Sequence, residues 1–134
     1  MIIDTGILYA LADRSDKHHA DARRLFQRRA VRVVPEVVVV EVDWLILERL
    51  GVDAEMAFLD AIASGNPVVE STLHEDRRRA AELVAQYRDA EIGYVDAVVV
   101  AIAERLRDRV IATVDRRHFS AIRPKHVTAL ELVP

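Results

Sequence analysis

The 134-residue sequence is 51% hydrophobic and 31% charged, with 19 lysines and arginines against 22 acids and a formal net charge of −3. Its length fits a single domain that buries a core of its own, and its hydrophobic share excludes a disordered chain. With no cysteine there is no disulfide, thiolate metal site or cysteine nucleophile, which suits a cytoplasmic setting. The acidic balance argues against a generally basic nucleic-acid binder.

No membrane segment is expected. The start, Met1-Ile2-Ile3-Asp4, lacks the basic and apolar regions of a signal peptide, and the longest clean apolar run, Ala97 to Ala103, is far too short to span. All but two of the basic residues, Lys17 and Lys125, are arginine. Arginine suits RNA phosphates, but GC-rich codon usage is the preferred explanation of the bias.

In chain order, Met1–Asp4 reads as a short apolar strand ending in a carboxylate, and Ile7, Leu8 and Leu11 as a short helix. Asp16 caps a helix over Lys17–Arg29, with Ala22, Leu25 and Phe26 inward and Arg23, Arg24, Arg28 and Arg29 toward water. Val31–Val34 is a strand closed by Pro35. The valine run that follows has strand propensity, but Pro35 favours a first helical turn and no turn signal intervenes before Gly51. A helix over about Glu36–Leu50 is therefore expected. Asp53–Ala63 is a further helix, Val68–Glu70 a strand, and Glu75–Arg88 and Tyr94–Leu106 helices. Val110–Thr113 and Val127–Leu132 complete the chain as strands. The alternation predicts α/β architecture, a mostly parallel sheet covered by helices on both faces. The Glu36–Leu50 helix is apolar nearly all round, so it is central or covered by a second copy, and a homodimer is expected.

Most acids read as solvated surface. Asp4 ends the first strand, at the edge where open α/β sheets bind ligands, though it could equally cap the next helix, with Thr5 beside it. Asp96 stands in a helical first turn, favoured there by the helix dipole, yet Val99, Val100 and Ala103 share its face. Glu41 and Asp43 both sit among apolar neighbours, and periodicity does not choose between them. Asp115 follows the Val110–Thr113 strand and alone reads as a turn aspartate. Gathered together, such carboxylates repel and need a cation. Hard oxygen donors without cysteine or paired histidine suit Mg²⁺ or Mn²⁺ and phosphate chemistry.

Other chemistries lack their motifs: there is no P-loop, no G-x-S-x-G elbow and no H-E-x-x-H pair. His18 and His19, His118, and the Arg77-Arg78-Arg79 run all read as solvated surface.

Four segments carry a resemblance over essentially the whole chain. They are Met1-Ile2-Ile3-Asp4-Thr5, Val40-Glu41-Val42-Asp43, Ile92-Gly93-Tyr94-Val95-Asp96-Ala97 and Ala112-Thr113-Val114-Asp115-Arg116-Arg117-His118-Phe119. In that order the chain resembles the PIN-domain ribonucleases, and within them the VapC toxins of type II toxin–antitoxin pairs. The resemblance implies one PIN domain over residues 1–134, a three-layer α/β/α sandwich. It implies a Mg²⁺ or Mn²⁺ site of Asp4, Glu41, Asp96 and Asp115, placing the family's glutamate on Glu41 rather than Asp43. Asp4 and Asp96 would be principal ligands, Asp115 and Glu41 would complete the site partly through water, and Thr5 and Thr113 would support it. Gly6 departs from the pattern, since many members carry serine there.

The resemblance further implies a toxin endoribonuclease that cuts a structured translation RNA, tRNA or the ribosomal sarcin–ricin loop. A co-encoded VapB antitoxin would cover the acidic site, an arginine supplying the counter-charge. Arg116 and Arg117, beside Asp115, are candidates for holding the RNA backbone. Three other readings stand beside this one. A phosphatase using Asp4 as nucleophile is poorly served by Gly6 where a second aspartate is wanted, and by the placement of Lys17 and Lys125. A non-toxin PIN nuclease of RNA processing and a non-catalytic partner-binding module are the others.

Overall fold

The structure is a computed structural model that describes residues 1–28 and 30–134. Arg29, expected to end a helix and face water, lies outside the described residues. Among them the order is β1 (Ile2–Ile3), α1 (Thr5–Ala12), α2 (His19–Gln27), β2 (Val33–Pro35), α3 (Glu36–Leu50), α4 (Val52–Ala63) and β3 (Val68–Glu70). Then follow α5 (His74–Gln86), α6 (Tyr94–Leu106), β4 (Val110–Ala112), α7 (Arg116–Ala121) and β5 (Glu131–Val133).

The five strands form one parallel sheet in the order β3-β2-β1-β4-β5, flanked by the helices in an α/β/α sandwich. Parallel neighbours need crossovers, and the helices supply them. β1 lies at the centre, between β2 and β4, so its two isoleucines are wholly buried. Ile3 pairs with Ala112, which brings the residues just beyond β1 and β4 side by side. No described helix is long and apolar enough to cross a membrane.

The valine run is helical, as Pro35 and the missing turn signal predict, and α3 ends at Gly51, whose φ of 88° suits glycine. The helix buried all round is α6, not α3: every residue from Ala97 to Ala103 is buried. On α3 only Val38, Val42 and Ile46 are buried, while Val40 (66% exposed) and Trp44 (59%) stand in water with Leu47. α4 shows a matching row, Val52, Met56 (60% exposed) and Leu59.

Several expected boundaries move. The strand expected at Val127–Leu132 is Glu131–Val133, because Thr113 N–H pairs with Val133 O and Glu131 N–H with Arg109 O. α7 is an addition to the elements expected; Asp115 caps it, accepting from the N–H groups of Arg117 (3.1 Å) and His118 (3.2 Å). Two arginine expectations also change. Arg79 is not solvated: it grips both Glu104 oxygens at 2.7 and 3.0 Å. Arg116 spends its guanidinium on the Leu132 and Pro134 carbonyls, so it is tied to β5 rather than held out for RNA.

Candidate active site

Asp4 follows β1 directly and is 4% exposed. It occupies the N-cap position of α1, but its side chain makes no cap hydrogen bond. Instead its Oδ2 accepts from the Thr113 hydroxyl at 2.7 Å, across the adjacent ends of β1 and β4. The Thr113 oxygen in turn accepts from Asp115 N–H at 2.9 Å. One threonine thus links the two strand-end acids.

Burial pushes the Asp4 carboxyl up to about 6. The Thr113 hydrogen bond opposes the shift, and the charges of Asp96 and Glu41 add to it. Both acids therefore lie close enough for their fields to act at Asp4. Glu41 is the α3 acid that reaches this notch, its Oε2 accepting from the Thr5 hydroxyl. Asp43 lies two residues further, on the opposite side of the helix, where its Oδ1 is buried without a hydrogen-bond partner.

Asp96 enters from α6. That helix leads into β4 and so runs against it, which places its first turn over the carboxyl ends of the strands. Burial raises the Asp96 pKa, His118 opposes the rise, and Asp115 adds to it. His118, expected on the surface, stands instead between two acids. Its Nδ1 is 3.2 Å from Asp96 Oδ2 and 3.0 Å from Asp115 Oδ2. Neither contact has hydrogen-bond alignment, so the nitrogen is near both carboxylates and bonded to neither. A signal for it existed in the sequence: His118 is three residues after Asp115, on the same side of a short helix.

The four predicted carboxylates are therefore drawn toward one edge of the sheet in overlapping pairs: Asp4 with Glu41 and Asp96, and Asp96 with Asp115. Among the described residues no three such side chains are gathered tightly enough to hold an ion by themselves. Carboxylate oxygens are nonetheless the donors Mg²⁺ takes, one or two directly with waters completing its shell. The donor set is hard oxygen, and among the described residues the buried Asp4 carboxyl has no cationic side chain as a hydrogen-bond partner. Gly6, one residue beyond Thr5, packs so closely on Val114 that a Cβ there would overlap Val114 Cγ2. The first turn of α1 and the β4–α7 corner are held together by that contact.

A sequence model of the PIN domain matches residues 1–124. The chain is 42% identical over 125 residues to "Ribonuclease VapC26" of Mycobacterium tuberculosis, covering 92% of this chain and 93% of that protein. Its fold superposes on the crystal structure of M. tuberculosis VapC20, described as a sarcin–ricin loop cleaving toxin, with a TM-score of 0.81 at 25% identity. That match covers 95% of this chain and 98% of the other. The chain belongs to the PIN-domain family and, within it, to the VapC ribonuclease toxins.

Proposed function

We propose that this single-domain chain is a Mg²⁺-dependent endoribonuclease (Mn²⁺ serving as well) that cuts a structured translation RNA, tRNA or the sarcin–ricin loop. The observation that carries the reading is the buried Asp4, raised to about 6 by burial and further by Asp96 and Glu41. Such a group is costly to ionise alone and well placed to share a cation.

Asp4 and Asp96 would hold the metal directly, with Asp115 and Glu41 orienting its water shell. When bound, Mg²⁺ supplies Lewis acidity and neutralises charge at the phosphodiester. Thr113 fixes the Asp4 carboxylate through the 2.7 Å bond, and Thr5 fixes Glu41. His118 stands between Asp96 and Asp115, its Nδ1 3.2 and 3.0 Å from their oxygens. Arg117, exposed beside Asp115, would hold the RNA backbone.

Two protein partners follow from the same reading. A VapB-type antitoxin would cover the acidic notch and restrain the toxin. A second copy of the chain would cover the Val40–Trp44–Leu47 and Val52–Met56–Leu59 rows, whose exposure in one copy is hard to sustain in water. The enzyme reading is tested with purified protein and the two RNAs. Mg²⁺ should give defined RNA ends and EDTA should remove them; cleavage that persists in EDTA contradicts the mechanism.

A further inference from the structure

A surface cleft of about 640 Å³ opens where the end of α1 meets the start of α2, lined by Leu11, Ala12, Arg14, His19 and Arg23. Its charged lining is entirely basic, in a chain that carries more acids than bases. The neighbouring acids have partners of their own, although Asp13 also lies near enough for the His19 ring to act on it. Asp21 pairs with Arg24, Asp13 accepts from Ser15 and Tyr9, and Asp16 accepts from His18 N–H. Arg14 and Arg23 form no ion pair among the described residues.

His19 is held in place. Its Nδ1 lies 2.8 Å from the Ala10 carbonyl, so Nδ1 carries the proton and donates, leaving Nε2 for another partner. His19 and Arg23 are four residues apart on one face of α2, so both can reach one anion in the cleft. The cleft between α5 and α6 makes the contrast. It is also lined by arginines, but there Arg79 grips Glu104 and Arg105 grips Asp76. Arg79 and Arg105 close on partners within the protein, although Arg107 of the same lining does not; among the described residues neither Arg14 nor Arg23 of the α1–α2 cleft has an ion-pair partner.

We infer that Arg14, His19 and Arg23 form a second phosphate site, which takes a backbone phosphodiester of the RNA away from the bond that is cut. The inference rests on the reading of the chain as an RNA-cutting enzyme. Arginine forks match phosphate oxygens in pairs, and apolar Leu11 and Ala12 form the rest of the lining. Leu11 is six residues beyond Thr5 along α1, about 9 Å of axial rise.

The test reads binding without turnover. A short oligouridylate is titrated in EDTA against the wild type, Arg14→Gln/Arg23→Gln and Arg14→Lys/Arg23→Lys, over a range of salt. The glutamine variant should bind roughly tenfold more weakly, with a salt slope shallower by about 0.7 for each phosphate it no longer neutralises. The lysine variant should keep most of that slope. Inorganic phosphate should shift the His19 ring resonances in the wild type and not in the glutamine variant. Thermal unfolding controls for folding, since both arginines are exposed. Unchanged affinity and slope in the glutamine variant overturn the inference. So does an acidic peptide that shifts His19 while oligouridylate affinity stays the same, which would assign the cleft to a protein partner. Absence of cleavage in Mg²⁺ would instead count against the nuclease reading, and this binding measurement would be untouched by it.

Discussion

The Thr113 hydroxyl donates a buried 2.7 Å hydrogen bond to Oδ2 of Asp4, joining the ends of two neighbouring parallel strands. The Ile3–Ala112 register makes this contact possible, since it sets residue 4 beside residue 113. The bond favours the ionised carboxylate and so opposes the effect of burial. Thr113→Val keeps the shape and removes the donor. In metal-free protein, the Asp4 carboxyl should then titrate above its present value of about 6, as read by carboxyl NMR. Stability at neutral pH should fall by about 2 kcal/mol in chemical denaturation.

Asp4 also predicts how metal-free stability depends on pH. Its carboxyl is raised from 3.8 to about 6 on folding, so the folded state holds that proton more tightly than the unfolded state. This contribution is complete below pH 4 and is lost as pH rises through 6, with a magnitude on the order of 3 kcal/mol. Asp96, also raised, acts in the same direction, whereas Asp13, Glu82 and Glu104 are lowered and act in the opposite one. Unfolding of the wild type should be compared with Asp4→Asn across this range to isolate the residue. The wild type should lose stability relative to the variant between pH 4 and 7, and saturating Mg²⁺ should restore much of it.

Gly6 owes its identity to Val114. Many relatives are expected to carry serine here, but a Cβ would overlap Val114 Cγ2, and a β-branched side chain has little freedom to yield. Gly6→Ser should cost about 1–3 kcal/mol of stability in denaturant unfolding. A paired Gly6→Ser/Val114→Ala variant should recover part of that loss.

A separate polar cluster holds α5 to α6. Asp76 is buried, accepts from Leu73 N–H at 2.9 Å, and takes Arg105 Nε at 3.0 Å. Asp76→Ala removes both, while Arg105 keeps its ion pair to Glu70 at 2.9 Å and its hydrogen bond to the Ser71 carbonyl. The expected loss is about 1–3 kcal/mol in thermal or chemical unfolding, with metal affinity in the folded protein unchanged.

Much of the frame was legible because it depends on local signals. Pro35 and Gly51 bracket α3 despite its valines, and Gly93 precedes α6 where expected. Position along the chain also placed Asp4 and Asp115 at strand ends. What was not legible depends on distance in space. Glu41 and Asp43 have equally apolar neighbours, so periodicity did not separate them; the choice of Glu41 came from the resemblance, and it is Glu41 that accepts from Thr5. Six-residue α7 gives too little periodicity to see, so the position of His118 between Asp96 and Asp115 was hidden with it. Composition gave no hint that Arg79 and Arg116 are spent on internal partners while Arg14 and Arg23 are not.

Isosteric carboxamides at Asp4 and Asp96 ask whether the acidic notch is the ribonuclease site. Wild type, Asp4→Asn and Asp96→Asn should be compared for cleavage of tRNA and ribosomal RNA in Mg²⁺, with thermal unfolding to show that each variant is folded. The predicted result is cleavage by the wild type and loss of at least a hundredfold in both variants, consistent with removing a group that stabilises developing charge. Folded variants that cut the same bonds at wild-type rates would contradict the account.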